Sequence, residues 1–569
     1  MDNLLPLPRL AISRPGLSGR NGTLSTAALG VAILFSLISA PVRADEPLSA
    51  RIDQLVLAAT PDAATIVAPI ADDAEFLRRV SLDLIGTIPT AIQTREFLAD
   101  QNPNKRATLV DRLLASPEYA RHMQKTFDVI LMQRRPAQHV GASEWQTYLR
   151  TSFAENKPWD QLVREILGQD GTDPKTRAAA RFFLDRDVEV NLVTRDIGRI
   201  FLGVNLECAQ CHDHPQIDDF KQQHYYGLSA FLVRSSLFKK GNDPALLAEK
   251  ADGEVTFESV FDIRDKKSTG PKSTPPRLFE GVALTDPMLE KGKEYTVKPE
   301  KDVRPVPAYS RRSLLGTAIV SPENKRFPRA LANRLWGLML GRGLIEPLEY
   351  DHSDNPPSIP ALLDLLTQEV VARKYDIKSM LREIALSQTY QRSSRRKPDT
   401  AEPDAGKFLV AQLKPLSPEQ FAQALMQASG LTDAERAALG DKATEEALSA
   451  RLAGAEGVLV NLFGSEPGRI ERGFDARADQ ALFLAHNGMV LGWIVPRPGN
   501  LCDRMSKMSA DQPAAIADEL YLSVLSRKPD AEETQDVVNY LAPRTADRTQ
   551  AIMELIWAST MSAEFRFNH

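Results

Sequence analysis

Apolar residues recur along this chain mostly at helical spacing and seldom at the two-residue spacing of a strand. Phe76, Leu77, Val80, Leu84 and Ile85 share one helical face, and Gly86 supplies the residue that closes such a helix. Thr90 and Gln93 then form a capping-box start for a second helix through Phe97 and Leu98. A third places Leu109, Val110, Leu113 and Leu114 together and stops at Ser116-Pro117, because proline pushes the preceding residue out of helical conformation. A fourth opens at Pro158-Trp159-Asp160 and buries Leu162, Val163, Ile166 and Leu167. The cleanest stripe is Val193, Ile197, Ile200, Phe201 and Val204. Extended by one turn it reaches Cys208, Cys211 and His212, so the spacing predicts a helix that carries all three on a core-facing surface as far as Pro215.

The pattern changes between Phe238 and Pro307. Asp265 through Arg277, with its lysines and three prolines, reads as linker, while Val255–Phe261 and Tyr295–Val297 are short strand candidates. Helical spacing returns after Tyr309. Ser358 can cap a helix through Leu362, Leu363 and Leu366, and further helices run to Leu386 and from Phe421 to Met426. The expected fold is mainly α: helical domains at 45–237 and 309–569, with a linker and small β-containing insert at 238–308. Leu82–Thr90 also echoes Leu522–Asp530, and each is followed by a helix and then by Ser116-Pro117-Glu118-Tyr119 or Ser562-Ala563-Glu564-Phe565. Two copies of such an α-hairpin unit can pack on each other, but they do not make a solenoid.

Residues 1–44 follow a different logic. Arg9, Arg14 and Arg20 precede an apolar run from Ala27 to Ala40, and Val42-Arg43-Ala44 is a small-x-Ala pattern. The run is shorter than the roughly 20 residues that cross a bilayer. A signal peptide cut after Ala44 is expected, leaving a periplasmic or secreted protein with no membrane span. The 569 residues carry a net charge of −5, which gives no electrostatic case for nucleic-acid binding.

Only three cysteines are present, and two lie in Cys208-Ala209-Gln210-Cys211-His212-Asp213-His214-Pro215. Three readings of this stretch stay open. Cys-x-x-Cys-His is the spacing of a c-type haem attachment, with thioethers to Cys208 and Cys211 and His212 as the proximal iron ligand. That reading implies electron transfer or redox sensing with a redox or protein partner outside the cytosol. The second is a zinc site of Cys208, Cys211, His214 and one of His212, Asp218 or His224, since zinc accepts mixed sulfur, nitrogen and oxygen ligands. An open fourth position would allow hydrolysis, with exported polysaccharide as one substrate, and a closed set would be structural. The third is a structural or partner-binding protein with a Cys208–Cys211 disulfide, favoured by an oxidising compartment but closing too small a loop to stabilise much. Cys502 is then an odd thiol. These readings leave open whether the protein is an enzyme. Farther on, Asp351, His352 and Asp354 could bind metal or move protons, but a solvated loop with local side-chain caps explains them as well and is preferred.

Several stretches together resemble a known family. Arg79-Val80-Ser81-Leu82-Asp83-Leu84-Ile85-Gly86, Phe201-Leu202-Gly203-Val204 leading into the cysteine motif, and Tyr225-Tyr226-Gly227-Leu228 resemble the planctomycete cytochrome-c-like domain of unknown function 1549. Asn333-Arg334-Leu335-Trp336, Gly341-Arg342-Gly343-Leu344, Asn355-Pro356-Pro357-Ser358, Ser387-Gln388-Thr389-Tyr390, Gln480–Leu484 and Ser562–His569 resemble its usual partner, domain of unknown function 1553. The resemblance covers most of the chain beyond residue 44. It implies no activity, because its cytochrome label rests on the same Cys-x-x-Cys-His.

Overall fold

A computed structural model describes residues 46–259, 270–398, 400, 402–471, 477–509 and 511–569. The expected signal peptide, residues 265–269 of the expected linker and residues 260–261 of the first strand candidate lie outside these residues. Among the described residues the protein is mainly α, with strands of two to four residues forming four two-stranded antiparallel ladders.

The helices begin and end where local chemistry directs. Asp72 accepts a hydrogen bond from Glu75 N to start Asp73–Ile85, and Gly86, at φ +72°, ends it. Thr90 and Gln93 cap Ala91–Ala99 reciprocally, and Ser116 caps Pro117–Met132. The echoed segment repeats this grammar: Ser526 takes the left-handed turn, Asp530 and Glu533 form the capping box, and Ser562 caps the final short helix. The two units meet through Arg78, a fully buried side chain that donates to the carbonyls of Val524 (3.3 Å) and Phe565 (3.1 Å).

Among the described residues two large hydrophobic cores result, beside a small cluster of Ala230, Val255 and Phe257. The larger draws side chains from Leu48 to Leu409, so helices from before and after the β segment share it. Its rings interlock: Phe127 sits 4.9 Å from Phe153 and 5.0 Å from Trp159. The smaller core is built from residues 416–565, joined by Leu82 and Ile88.

The β segment includes Ser235–Phe238 paired with Leu246–Glu249, Val255–Phe257 with Lys272–Thr274, and Tyr295–Val297 with Val306–Pro307. The second ladder corrects the linker reading for residues 272–277. Thr274 is buried, and Arg277 N donates to Gly227 O at 2.9 Å. Lysine-rich composition misled because Lys272 and Ser273 are exposed while Thr274 anchors the strand.

One loop in this framework cannot accept a side chain. A Cβ on Gly343 would lie 2.3 Å from the Ile345 carbonyl oxygen and 2.5 Å from Leu348 Cδ2. The carbonyl cannot yield, because Asn333 clamps Ile345 with one hydrogen bond to its N–H (3.0 Å) and one from Nδ2 to its oxygen (2.9 Å). Gly343→Ala is expected to cost about 1–3 kcal/mol, as overpacking does. Urea unfolding should show a lower midpoint at unchanged slope; an unchanged midpoint would refute the clamp.

Candidate cofactor site

The helix leading to the cysteines ends earlier than its apolar stripe suggests. Val190–Phe201 stops at Leu202, and Gly203, at φ +69°, turns the chain away. Val204, fully buried, lies past the helix end: its N–H bonds back to Gly198 O at 3.0 Å and it forms an isolated antiparallel bridge with Tyr350. The expectation that Cys208, Cys211 and His212 extend a core-facing helical surface is thereby overturned. Cys208–Gln210 is one 3-10 turn, and both cysteines are exposed free thiols.

That turn is nevertheless well anchored. Ala209, between the thiols, is fully buried. Cys208 O accepts from Cys211 N (3.2 Å) and His212 N (3.3 Å). Tyr226 donates its hydroxyl to Gln210 O at 2.8 Å, and its ring stacks on Phe257 of the β segment at 4.4 Å. Downstream, Asp213 accepts from Gln222 N at 2.8 Å and so holds the first turn of Gln222–Ser229. The reactive groups thus stand outward on a rigid base.

The histidines divide by tautomer. A carbonyl can only accept, so His212 Nδ1–H donates to Asp213 O (2.8 Å), which leaves the ring lone pair on Nε2. This is the arrangement in which an outer hydrogen bond fixes a metal-binding imidazole. His224 is set the same way by Asp219 O at 2.7 Å and lies 4.7 Å from the Phe279 ring. His214 is the reverse: its Nδ1 accepts from Gln216 N (3.2 Å) and Ile217 N (3.0 Å), so its proton sits on Nε2. Burial, with His212 and His352 nearby, holds the His214 pKa below the ordinary histidine value. Its lone pair is committed to two amides. Among the described residues, no group of three His, Cys, Asp or Glu side chains is placed to hold a metal ion.

The loop at 351–354 joins the neighbourhood without forming a ligand set. Asp351 pairs with Arg329 at 2.9 Å, and Ser353 donates to Asp219 through its N–H (2.6 Å) and its hydroxyl (3.1 Å). His352 packs edge-on to Phe220, 5.5 Å between centroids. Asp354 is exposed, and so is Asp218. Cys502 lies elsewhere, fully buried, with its thiol pKa raised by burial.

Sequence reading missed a second cluster. Asp83, 7% exposed, accepts hydrogen bonds from Lys414 Nζ (2.5 Å), Asn568 Nδ2 (2.7 Å) and Tyr390 Oη (2.8 Å). Arg79, one turn earlier, reaches the carbonyls of Tyr390 and Arg392. The available signal was an arginine and an aspartate four residues apart inside an otherwise buried helix. Glu75, which pairs with Arg79 at 2.6 Å, is local, but the partners of Asp83 lie more than 300 residues away and left no local trace.

Residues 51–236 match the family described as a protein of unknown function, DUF1549 (PSCyt2), and residues 311–454 match the one described as a protein of unknown function, DUF1553 (PSD1). No curated protein and no solved structure matches the chain. The cysteine motif falls within the first match and the Asn333-Arg334-Leu335-Trp336 helix within the second; the chain belongs to the family in which DUF1549 is fused to DUF1553, in that order.

Proposed function

We propose that this is an exported protein that binds one c-type haem at Cys208, Cys211 and His212 and uses it for electron transfer or redox sensing. The observation that carries the reading is the pairing of two exposed thiols on one anchored turn with a histidine whose Nδ1–H is fixed to a backbone carbonyl. Exposed thiols are accessible for thioether formation, and the lone pair on His212 Nε2 suits an iron ligand. When bound, the haem would supply a reversible one-electron couple. The chain's part is to hold both attachment points at fixed separation and to orient the imidazole. Residues 1–44 support export, and among the described residues no helix is long and apolar enough to cross a membrane. The zinc reading has less support, since His214 would have to give up two backbone hydrogen bonds or ligate through a protonated nitrogen.

Expression in a host that matures c-type cytochromes tests this. Purified protein is expected to keep its colour after denaturation, because thioethers survive unfolding. Cys208→Ser and Cys211→Ser should each weaken or abolish attachment, and His212→Ala should shift the absorption spectrum. Colourless protein with near-stoichiometric zinc, lost in His214→Ala, would support the zinc site instead. Colourless, metal-free protein with a Cys208–Cys211 disulfide would leave the structural reading.

A further inference from the structure

A cavity of about 440 Å3 beside the Asp83 cluster has its carboxylates already paired, Asp83 with Lys414 and Glu471 with Arg134. A larger one, of about 630 Å3, is lined by helices Pro117–Met132, Ala142–Ala154 and Glu445–Phe463, so both matched family regions contribute to its walls. That volume lies within the usual range for small ligands, about 300–1,000 Å3. Part of its lining is closed on itself: Lys125 pairs with Glu456, and Arg134 with Glu419 at 2.7 Å.

The rest holds donors without acceptors. Gln124 is 2% and Arg181 3% exposed, so the little surface they keep is cavity wall. Gln124 Oε1 accepts from Arg150 Nη2 at 3.3 Å, which makes Nε2 the free end of the amide. Arg181 spends Nε on Asp185 (2.8 Å) and Nη2 on the Arg135 carbonyl (3.3 Å). Among the described residues, Gln124 Nε2 and the Nη1 atoms of Arg135, Arg150 and Arg181 make no hydrogen bond, yet none is sealed off, unlike the Nε atoms of Arg135 and Arg150. One carboxylate stands with them. Asp128 Oδ1 accepts from Trp145 Nε1 at 2.8 Å, and Oδ2 is left open. With Arg181 balanced by Asp185, the cations Arg135 and Arg150 outnumber Asp128. The backbone leading to Arg135 is also strained: Gln133 (φ +50°) and Arg134 (φ +57°) are both left-handed, which is unfavourable for residues with a Cβ.

We infer that this cleft binds a small hydroxylated organic anion, its carboxylate, sulfate or phosphate oxygens accepting from the row of free donors and a hydroxyl donating to Asp128 Oδ2. Water satisfies such donors without neutralising the excess charge, whereas an oxyanion does both. Ser449, Ala453 and Gly457, successive turns of one helix face, are small and leave room for the body of the ligand. The site is independent of the cysteine motif and of whatever that motif binds.

Isothermal titration calorimetry on the full chain tests the inference, with D-glucuronate, D-glucose 6-sulfate and D-glucose 6-phosphate as probes and neutral D-glucose and cationic D-glucosamine as controls. At least one anion is expected to bind and neither control to do so, and the anion that binds tells carboxylate from sulfate or phosphate. Arg150→Gln should weaken binding at least tenfold by removing one charge. A Cβ on Gly457 meets nothing within 4 Å, so Gly457→Leu suits its helix and fills the cleft without touching the charged wall. It should weaken binding at least tenfold with no loss of melting temperature, and if Arg150→Gln fails to fold, Gly457→Leu decides alone. No binding of any anion, equal binding of glucose, or undiminished affinity in Gly457→Leu would each overturn the proposal.

Discussion

Asp83→Leu is expected to cost the fold about 3–5 kcal/mol, the usual effect of stripping one partner from a buried ion pair. The Asp83 side chain is 3% exposed and that of Lys414 14%, so water can replace little of what is lost. Burial raises the Asp83 pKa and lowers that of Lys414, and their mutual attraction opposes both shifts. Without the carboxylate, Lys414 must either bury its charge against two carbonyls with no counter-ion or give up its proton, and Tyr390 and Asn568 would each lose an acceptor. The double variant Asp83→Leu, Lys414→Met removes the stranded charge and should recover a large part of the deficit. Urea denaturation of the two single variants and the double gives the coupling. A double variant as unstable as the summed singles would show that the pair does not act as a unit.

Acid is expected to weaken this protein through His122. Its folded-state pKa is depressed to about 3, chiefly by burial, with Arg121 and Lys125 adding repulsion. An unfolded histidine titrates near 6.5, so between those values the unfolded chain binds a proton that the native state refuses. Above about pH 6.5 both states are neutral and the site has no effect. As pH falls toward 3 stability drains away, by about 2–3 kcal/mol at pH 4.5 on the scale of 1.36 kcal/mol per unit. His122→Gln cannot protonate there and should lose less stability than the parent between pH 7 and pH 4.5. Identical losses in the two proteins, measured by urea unfolding at both pH values, would remove His122 as the cause.

The helices were readable because their signals are local. Capping residues such as Thr90 with Gln93, and the glycine at 86, act within one turn and look the same in sequence and structure. The cysteine motif was readable as residues but not as a setting. Val204 continues the apolar stripe in sequence, yet it lies past the helix end and bridges to Tyr350, and the turn at Gly203 that makes this possible looked like one more helical residue. The division among histidines was equally hidden, since which ring nitrogen carries the proton depends on carbonyls and amides placed by the fold. Lys272–Thr274 shows the opposite error, in which exposed lysines on a paired strand imitate a linker. The cavity beside Asp83 could not be read at all, because Asp83, His122, Lys414 and Asn568 come from four distant segments.

The anchoring of Arg78 sets a schedule for biosynthesis. Its guanidinium is satisfied partly by the carbonyl of Phe565, 487 residues later, and Leu82 and Ile88 likewise wait for the late-made core. At roughly 5–20 residues per second, that interval is on the order of 25–100 s. Throughout it, Arg78 stays unmatched, and Leu82 on the same helix and Ile88 just beyond it lack the side chains that cover them. The rest of that helix can settle early, because Phe76, Leu77, Val80 and Leu84 belong to the core drawn from residues 48–409, so the corner around Arg78 is the last part of the early chain to close.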